Sequence, residues 1–453
     1  MDQPHILFVL TDQMRPDELG PATPHLNRLA ARGARFPNAY CASPLCQPAR
    51  NCMVTGKFPT QHGICGNMND PVSLEEREDT YPQHLQEAGY HSAYIGKHHY
   101  YDRYNLGIDV VAEDDEAIKG YGYDHLWQVV DIFESRHNED RYTRWLEQQG
   151  RLEEHRQNLG RQYFEGLAPE ETVDGYIGET ALDYLGDYEQ EKPLFLTVGF
   201  VGPHPPHWAP GKYSDMFDPD DMPPPKGVED PARIRGVQSQ RARYRGQVAM
   251  IDDYVGRLVE TLEENGMMEN TLIVFSSDHG HTIGDYGTHD KRFYWEQSVR
   301  VPLVLSGAGV PVDERAPANV RRPLVSGVDL YPTFLDAAGC DEIHGRGRRT
   351  GRSILRVLGG EEPAHRHVIS ELGTTMMVRD ANWKMVYDPE QDGVQWLYNL
   401  RGDPEELDNL AGVPQYRSVE ADLTEKLLDH MVHLTRETHT KEESRLQRVR
   451  VGL

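Results

Sequence analysis

Four apolar segments that each run into a charged or histidine side chain constrain most strongly what this chain can fold into. They cover residues 5–10, 92–95, 194–198 and 271–275. The first ends at Asp12, the second at Lys97, the third runs towards His204 and the fourth ends at Asp278. Continuous apolar runs of this kind are typical of parallel strands buried on both faces. Open α/β sheets bind ligands at the carboxyl ends of such strands, so these polar residues are candidates for one site.

Helical patterns lie between the strands, and the pattern changes near the C-terminus. Residues 80–88 and 243–264 carry apolar side chains at three- and four-residue steps. This alternation predicts an α/β fold with a mostly parallel central sheet flanked by helices on both faces, over residues 1–355. From 356 to 453, short strand-like runs separated by turn residues precede a helical pattern over 416–436. We predict a small C-terminal α+β subdomain there, with an antiparallel sheet and a helix.

Composition excludes several classes of protein. The 453 residues carry 47 basic and 73 acidic side chains, a net charge of 47 − 73 = −26. This balance, without a basic block, argues against a nucleic-acid or anionic-membrane partner. No apolar run of about 18 residues and no signal-peptide pattern occurs, so we expect a cytoplasmic protein without a membrane span. The five cysteines contain no Cys-x-x-Cys pair, which disfavours a zinc knuckle.

The most specific motif surrounds Cys46, in the segment SPLCQPAR of residues 43–50. A lone cysteine is ordinarily a packed thiol, because free cysteine is among the most buried residue types. The Cys-x-Pro-x-Arg spacing of Cys46, Pro48 and Arg50, however, resembles the signature of the type I, formylglycine-dependent sulfatases of the alkaline phosphatase superfamily. The residue after the cysteine is usually small or hydroxylic in that family, and Gln47 departs from this form.

Further motifs follow in the order typical of the same family. They are Asp12-Gln13-x-Arg15, Gly96-Lys97-His98-His99, Pro203-His204-x-Pro206, Ser277-Asp278-His279-Gly280 with Lys291 downstream, and Leu397-Tyr398-Asn399-Leu400. Each motif alone occurs by chance, but five in family order do not. The resemblance covers nearly the whole chain and implies an alkaline phosphatase-like fold.

The resemblance implies a specific nucleophile. In the family, a formylglycine-generating enzyme oxidises the cysteine, here Cys46, to formylglycine, and the aldehyde is hydrated to a geminal diol. One hydroxyl attacks sulfur, and the other later loses its proton so that sulfate is expelled. Arg50 is then expected to hold the charged diol and the transferring group.

The resemblance also assigns roles to four cationic or titratable side chains. Lys97 and Lys291, which would otherwise be solvated surface lysines, are expected to contact the sulfonyl oxygens. His204 is expected to protonate or hydrogen-bond the leaving oxygen. His99 is expected to assist the loss of the diol proton in the release step.

The strand ends also predict a divalent metal site. Asp12 alone reads equally well as a helix N-cap. Together with Asp278 it supplies two negative charges, while Gln13 and His279 supply neutral oxygen and nitrogen donors, and the diol oxygen of residue 46 completes the set. Family members commonly bind Ca²⁺, which we expect here. A histidine nitrogen suits Mn²⁺ better than Ca²⁺ or Mg²⁺, so Mn²⁺ and Mg²⁺ are alternatives.

Three functions are compatible with these residues. The first is hydrolysis of a sulfate ester of a small molecule or carbohydrate to the alcohol and inorganic sulfate. The second is phosphonate monoester or phosphodiester hydrolysis, since close relatives use the same formylglycine and the same Asp and His ligands. The third is a non-catalytic carbohydrate-binding or scaffolding relative, which predicts an unmodified Cys46 thiol and no metal dependence. The alcohol half of the substrate and a homo-oligomeric state stay open.

Overall fold

The structure is a computed structural model that describes residues 3–67, 79–101, 118–159, 166–189, 191–312, 320–340 and 349–451. The strands within these residues are β1 (His5–Thr11), β2 (Ala34–Arg35), β3 (Ala39–Tyr40), β4 (His91–Gly96), β5 (His125–Gln128), β6 (Leu194–Gly199), β7 (Thr271–Ser277), β8 (Leu303–Gly307), β9 (Val325–Ser326), β10 (His367–Leu372), β11 (Thr375–Asp380), β12 (Trp383–Asp388) and β13 (Gly393–Asn399). The helices are α1 (Pro24–Arg32), α2 (Cys46–Thr55), α3 (Pro59–His62), α4 (Tyr81–Glu87), α5 (Arg141–Gln148), α6 (Leu152–Asn158), α7 (Val173–Gly186), α8 (Pro231–Glu264), α9 (Glu296–Val299), α10 (Leu330–Ala337), α11 (Ile354–Gly359) and α12 (Arg417–Val451).

A seven-stranded sheet forms the centre of the molecule, in the order β2-β8-β7-β1-β6-β4-β5. The four predicted strand segments are its central strands β1, β4, β6 and β7, which pair in parallel. Strand β5 adds a further parallel pairing at one edge. Only β8 runs antiparallel to its neighbours β7 and β2 among the strands of this sheet that the structure describes. The prediction of a mostly parallel central sheet is therefore confirmed.

Helices cover both faces of the sheet, and β1 shows why the sequence dictates this. Alternate side chains of a strand point to opposite faces. Ile6 and Phe8 join a core that includes residues of α4 and α10. Leu7 and Val9 join a second core that includes residues of α1, α7 and α8. A strand with a continuous apolar run therefore requires helices on both sides, as observed.

The longest fully described helix, α8, begins earlier than the apolar pattern predicts. The pattern gives a start at residue 243, whereas the helix begins at Pro231. Asp230 caps this end, because its side chain accepts a hydrogen bond from the backbone N–H of Ala232, and proline is favoured at the first helical position. Val237 and Ala242 are the buried apolar side chains of these added turns, which therefore carry no apolar periodicity.

The C-terminal region forms a separate antiparallel sheet in the order β10-β11-β12-β13. Ile369, Val378, Met385 and Leu397 from its four strands pack in one apolar cluster with side chains of α12 such as Leu427. This confirms the predicted α+β character, although α12 continues to Val451, past the predicted end at residue 436. None of the helices in the described ranges is long and apolar enough to span a membrane.

The register of the central sheet brings four strand ends to one place. Leu10 of β1 and Gly96 of β4 both pair with Gly199 of β6, and Thr11 pairs with Ser277 of β7. Gly96 has a φ of 112°, and a β-carbon there would lie 2.1 Å from the carbonyl oxygen of Gly199. Only glycine fits this close approach. The residues that follow these strands therefore share one edge of the sheet.

Candidate active site

Cys46 is the first residue of α2 and is 1% exposed. Its sulfur is surrounded by side chains from distant parts of the chain. Lys291 Nζ lies 2.8 Å from Sγ, His279 Nε2 lies 3.2 Å away and Asp12 Oδ1 lies 3.8 Å away. The structure thus brings together the predicted nucleophile position, one predicted lysine and two predicted metal ligands.

The Cys46 thiol is a poor nucleophile in this environment. Burial, followed by the negative charge of Asp12, raises its pKa to about 12, although Lys291 acts in the opposite direction. The thiol is therefore protonated at neutral pH, whereas thiol nucleophiles of enzymes react as thiolates with lowered pKa values.

Arg50 lies one helical turn after Cys46 and is 1% exposed. Its Nε donates to Asp278 Oδ2 at 2.9 Å, and a terminal nitrogen donates to Asp12 Oδ2 at 3.2 Å. The other terminal nitrogen donates to the carbonyl oxygen of Lys97 at 2.7 Å. Burial alone would lower the pKa of Arg50, but Asp278 and Asp12 raise it above its ordinary value. One planar guanidinium therefore ties the ends of β1, β4 and β7 together.

Asp12, Cys46, Asp278 and His279 form a group that could hold a metal ion, with candidate ligand atoms all within 4.8 Å of one another. His279 Nδ1 lies 2.8 Å from the carbonyl oxygen of Gly280, which fixes Nδ1 as the donor and leaves Nε2 free to act as a ligand. Although burial raises the pKa of Asp12, the charges of Lys97 and other cations keep it well below its ordinary value, so Asp12 is ionised.

Gln13 provides a further test of whether a cation fits. Its backbone has a φ of 63°, an unusual value for a residue other than glycine, and its N–H donates to Asp278 Oδ1 at 3.1 Å. Its buried side-chain oxygen Oε1 has no hydrogen-bond partner in the part of the chain that the structure describes. A buried acceptor without a partner is costly, and a cation beside the two carboxylates would satisfy it. The donor set therefore fits a divalent ion.

Lys97 and His204 lie around the same centre. Lys97 Nζ donates to Asp12 Oδ2 at 2.6 Å, and nearby acids raise its pKa well above the ordinary value despite burial. His204 Nε2 lies 3.2 Å from Lys291 Nζ, and His204 is 12% exposed in its side chain. Burial lowers the pKa of His204 to about 4, against the effect of Asp131.

His99 is close to these groups but is not in contact with Cys46 through any hydrogen bond that the described residues show. It has a φ of 48°, and burial followed by the charge of Lys97 lowers its pKa well below the ordinary value. Its Nδ1 is buried without a hydrogen-bond partner among the described residues. His99 is thus a neutral imidazole held at the edge of the site.

Gln47, the departure from the usual family form, is completely buried. Its side-chain nitrogen donates to the carbonyl oxygen of Tyr100 at 3.2 Å. The neighbouring Asn51 donates to the same oxygen at 2.8 Å. Gln47 therefore anchors α2 to the segment after β4.

Asp131 is the acidic residue that the sequence analysis missed. Its Oδ2 accepts a hydrogen bond from Lys97 Nζ and lies 3.8 Å from His204 Nδ1. It follows the parallel edge strand β5 by three residues. The strand-end rule that selected Asp12 and Asp278 would have selected Asp131 as well, but the four residues of β5 form no continuous apolar run.

Comparison with known proteins agrees with the resemblance read from the motifs. The family model for sulfatases matches residues 4–340, and the model described as N-sulphoglucosamine sulphohydrolase, C-terminal, matches residues 284–433. A choline-sulfatase of Rhizobium meliloti (strain 1021) is 31% identical over 93% of this chain and 85% of its own length. An arylsulfatase of Clostridium perfringens is 29% identical over 92% of both chains.

Solved structures support the same fold at low sequence identity. A phosphonate monoester hydrolase of Agrobacterium radiobacter superposes with a TM-score of 0.79 at 23% identity, over 95% of this chain and 96% of its own. A 2-O GAG sulfatase superposes with a TM-score of 0.71 at 21% identity, over 97% of this chain and 94% of its own. At these identities the likeness concerns the fold alone. Because a family model covers most of the chain and a relative above 30% identity covers nearly all of it, the chain belongs to the sulfatase family, the sulfuric ester hydrolases.

Proposed function

We propose that this protein hydrolyses a sulfate ester to an alcohol and inorganic sulfate, with residue 46 as the nucleophile after conversion of Cys46 to formylglycine. The observation that carries the proposal is the environment of Cys46 Sγ, which lies within 4 Å of Lys291, His279 and Asp12 at the shared edge of the sheet. The thiol itself is protonated there, whereas a hydrated aldehyde offers oxygen nucleophiles at the same position.

A divalent ion fits the donor set and would be held by Asp12, Gln13, Asp278, His279 and the oxygen of converted residue 46. When bound, it supplies positive charge that stabilises negative charge on the reacting oxygens. We propose Ca²⁺, with Mn²⁺ as the alternative that the histidine nitrogen favours and Mg²⁺ as a further one. A divalent charge beside Asp12 would leave the ammonium group of Lys97 available to an anionic substrate.

The remaining side chains act on the sulfonyl group and on protons. The ammonium groups of Lys97 and Lys291 donate to the sulfonyl oxygens, where negative charge must be stabilised during transfer. His204 delivers a proton to the leaving oxygen, and His99, a neutral imidazole, takes up the proton of residue 46 when sulfate is released. Arg50 holds residue 46 and the two aspartates in register.

We further propose a substrate class, a maturation partner and a division of the chain into two units. The substrate is a sulfated small molecule or carbohydrate, and a formylglycine-generating enzyme is required for maturation. The catalytic unit comprises residues 1–355 and the C-terminal unit residues 356–453. The acidic surface fits a cytoplasmic protein without nucleic-acid partners, and a homo-oligomer is compatible with it.

The second candidate is hydrolysis of a phosphonate monoester or phosphodiester by the same groups. His279 in the ligand set and the fold likeness to the phosphonate monoester hydrolase favour it. Both ester classes present a tetrahedral monoanion, so the two lysines serve either one.

The test compares protein co-expressed with a formylglycine-generating enzyme with its Cys46→Ala variant. In the tryptic peptide of residues 36–50, conversion of Cys46 lowers the mass by about 18 Da, a covalent change that a packing cysteine does not undergo. We expect this shift, together with turnover of 4-nitrophenyl sulfate that exceeds turnover of a 4-nitrophenyl phosphonate monoester. Cys46→Ala should abolish both activities.

Cys41 provides the matched control, because it is a buried thiol in the same peptide. It should keep its mass and remain open to alkylation after unfolding, and Cys41→Ala should retain activity. Full turnover by Cys46→Ala would refute the nucleophile. Faster turnover of the phosphonate ester would favour the second candidate over the first.

A further inference from the structure

We propose that the turn of residues 131–133 serves the leaving group of the reaction. Asp131 is a positioning residue that orients Lys97 and His204, and Phe133 contacts the alcohol half of the ester. This inference rests on the proposed function and adds to it the part of the site that faces the alcohol. The turn lies outside every sequence motif that identifies the family.

Both oxygens of Asp131 are used. Oδ1 accepts a hydrogen bond from the backbone N–H of Phe133 at 3.0 Å, which fixes the turn itself. Oδ2 accepts from Lys97 Nζ and lies 3.8 Å from His204 Nδ1. The carboxylate is 13% exposed in its side chain, and surrounding cations lower its pKa although burial opposes them, so it is ionised. One carboxylate therefore couples the turn to two side chains of the site.

Lys97 needs a second anchor besides Asp12. The lysine side chain is long, and its ammonium group is held between Asp12 and Asp131. If Asp12 serves a divalent ion, its charge is shared with that ion. Asp131 is then the carboxylate that keeps Lys97 directed at the transferred group. Its loss would leave the ammonium group less well defined in position.

His204 needs a negative charge nearby in order to donate a proton. Its Nδ1 donates to the carbonyl oxygen of Pro205 at 2.7 Å, so a neutral ring carries its proton on the side away from the reaction. Donation from Nε2 to a leaving oxygen requires the doubly protonated ring. Lys291 at 3.2 Å from Nε2 disfavours that cation, whereas the carboxylate of Asp131 stabilises it.

Phe133 marks where the alcohol half lies. Its side chain is 45% exposed and lies beside the buried polar centre, where a bound substrate can cover it. The ring meets the His204 imidazole edge-on, with centroids 5.9 Å apart and planes at 73°. An alcohol bonded to the oxygen that His204 protonates would pass over this ring. The contact suits an alcohol half with an apolar or C–H-rich surface, such as an aryl group or the face of a sugar.

The experiment measures how the rate depends on the leaving group. Wild type, Asp131→Asn and Asp131→Glu are assayed on a series of aryl sulfates from 4-nitrophenyl to phenyl sulfate. Proton donation contributes about 10²–10⁴-fold to a rate and matters most for poor leaving groups. We expect Asp131→Asn to lose about tenfold in kcat on 4-nitrophenyl sulfate and about a hundredfold or more on phenyl sulfate. Asp131→Glu should recover part of the loss.

Glu139→Gln is the matched control, because Glu139 lies in the same segment with a side chain 71% exposed and faces only Arg144 at 4.0 Å among the ion pairs described. Its rates should equal those of wild type. Equal losses by Asp131→Asn across the series, or no loss, would overturn the positioning role, because a general disturbance of the fold has no leaving-group dependence.

Phe133→Ala tests the contact with the alcohol half. We expect KM for the aryl sulfates to rise about tenfold with little change in kcat, and KM for methyl sulfate to stay unchanged. An unchanged KM for the aryl esters would overturn the contact. The preference of wild type between sulfate and phosphonate esters tests the proposed function separately. If phosphonate esters react faster, the same leaving-group series is made in that class.

Discussion

The Arg50 guanidinium connects three separate parts of the candidate site. It reaches two carboxylates and one backbone carbonyl through three different nitrogens, and it is buried with both acids. Lysine carries the same charge but has one compact ammonium group. Geometry, and not charge alone, is therefore what the position requires.

The first prediction follows from this geometry. Arg50→Lys can satisfy at most part of the three acceptors, and each lost bond to a charged group costs about 1.5–3 kcal/mol. We expect a loss of about 3 kcal/mol in the free energy of unfolding and at least about a hundredfold in kcat/KM, because the ligands of the proposed ion lose their register. Urea unfolding and steady-state kinetics measure the two effects.

Arg32→Lys provides the comparison for Arg50→Lys. Arg32 is 63% exposed in its side chain and lies 3.7 Å from Glu263. Exchange there should change stability by less than about 0.5 kcal/mol. Equal effects of the two exchanges would contradict the role assigned to the guanidinium geometry.

At the same scale, sequence reasoning found Asp12, Cys46, Asp278, His279 and Lys291, which the structure brings together. Their spacing along the chain carried the signal. Asp131 escaped because its position depends on a short edge strand, whose burial alternates and so gives no apolar run. The partners of an individual residue, such as the bond from Gln47 to the Tyr100 carbonyl, depend on packing that no local pattern encodes.

Among the elements, the contact between strands β4 and β6 sets where Lys97 begins. Gly96 combines a φ of 112° with a hypothetical β-carbon 2.1 Å from the Gly199 oxygen. Gly89, just before β4, also has a positive φ, 96°, but nothing lies within 4 Å of its hypothetical β-carbon. A comparison of the two glycines therefore distinguishes the cost of backbone strain from the cost of a steric clash.

The second prediction uses this pair. Gly89→Ala should cost about 1–2 kcal/mol through backbone strain alone. Gly96→Ala adds the clash with the Gly199 oxygen, so we expect a loss of about 3–5 kcal/mol and a displaced Lys97. Thermal unfolding and kcat/KM of both variants give the measurement. If Gly89→Ala and Gly96→Ala destabilised the protein equally, strands β4 and β6 would have to move apart at no cost in free energy, which would contradict the tight contact.

Helices and strands could be predicted from the sequence where nearly all of their side chains are apolar and buried. The apolar runs of β1, β4, β6 and β7 identified the centre of the sheet. The first turns of α8 did not follow from periodicity, because they are held by the cap at Asp230 and pack few apolar side chains. The two-residue strands β2, β3 and β9 are defined by their partners, which lie far away in the sequence.

For the whole molecule, buried histidines set the response to pH. Burial lowers the pKa of His62, His98 and His207 to about 3 and that of His155 to about 4. His62 and His98 use Nδ1 to accept a backbone N–H two residues further on, and this bond requires an unprotonated Nδ1. In the unfolded chain each histidine takes up a proton near pH 6.5. Their stabilising contribution is therefore complete above pH 6.5 and is lost as the pH falls below it.

Two buried aspartates act in the opposite direction. Burial raises the pKa of Asp174 and Asp252 to about 6, above the unfolded value near 3.8. The folded protein binds their protons first, so they add stability as the pH falls from about 6 to about 4. Each group contributes about 1.4 kcal/mol per pH unit in its range. His99 and His204, whose pKa values burial also lowers, bring these histidines to six against the two aspartates.

The third prediction concerns how the free energy of unfolding changes with pH as these histidines and aspartates titrate. We expect the free energy of unfolding to be nearly constant from pH 8 to 7 and to fall by at least about 3 kcal/mol per pH unit between pH 6 and 5. Urea unfolding at half-unit pH steps measures it, and His62→Gln should reduce the slope by the equivalent of one proton. A free energy that stays constant down to pH 5 would contradict neutral buried histidines.

The burial of Cys46 limits when a modifying enzyme can reach its side chain. Lys291, whose ammonium group closes over the sulfur, follows Cys46 by 245 residues in the chain. At about 5–20 residues per second, a ribosome needs roughly 10–50 s to add that length. If Cys46 is converted as we propose, an enzyme that binds the extended segment around it can act during this interval, before Lys291 has been added to the chain. Because the segment around Cys46 is synthesised before Lys291, modification of Cys46 can begin before the site around its side chain has folded.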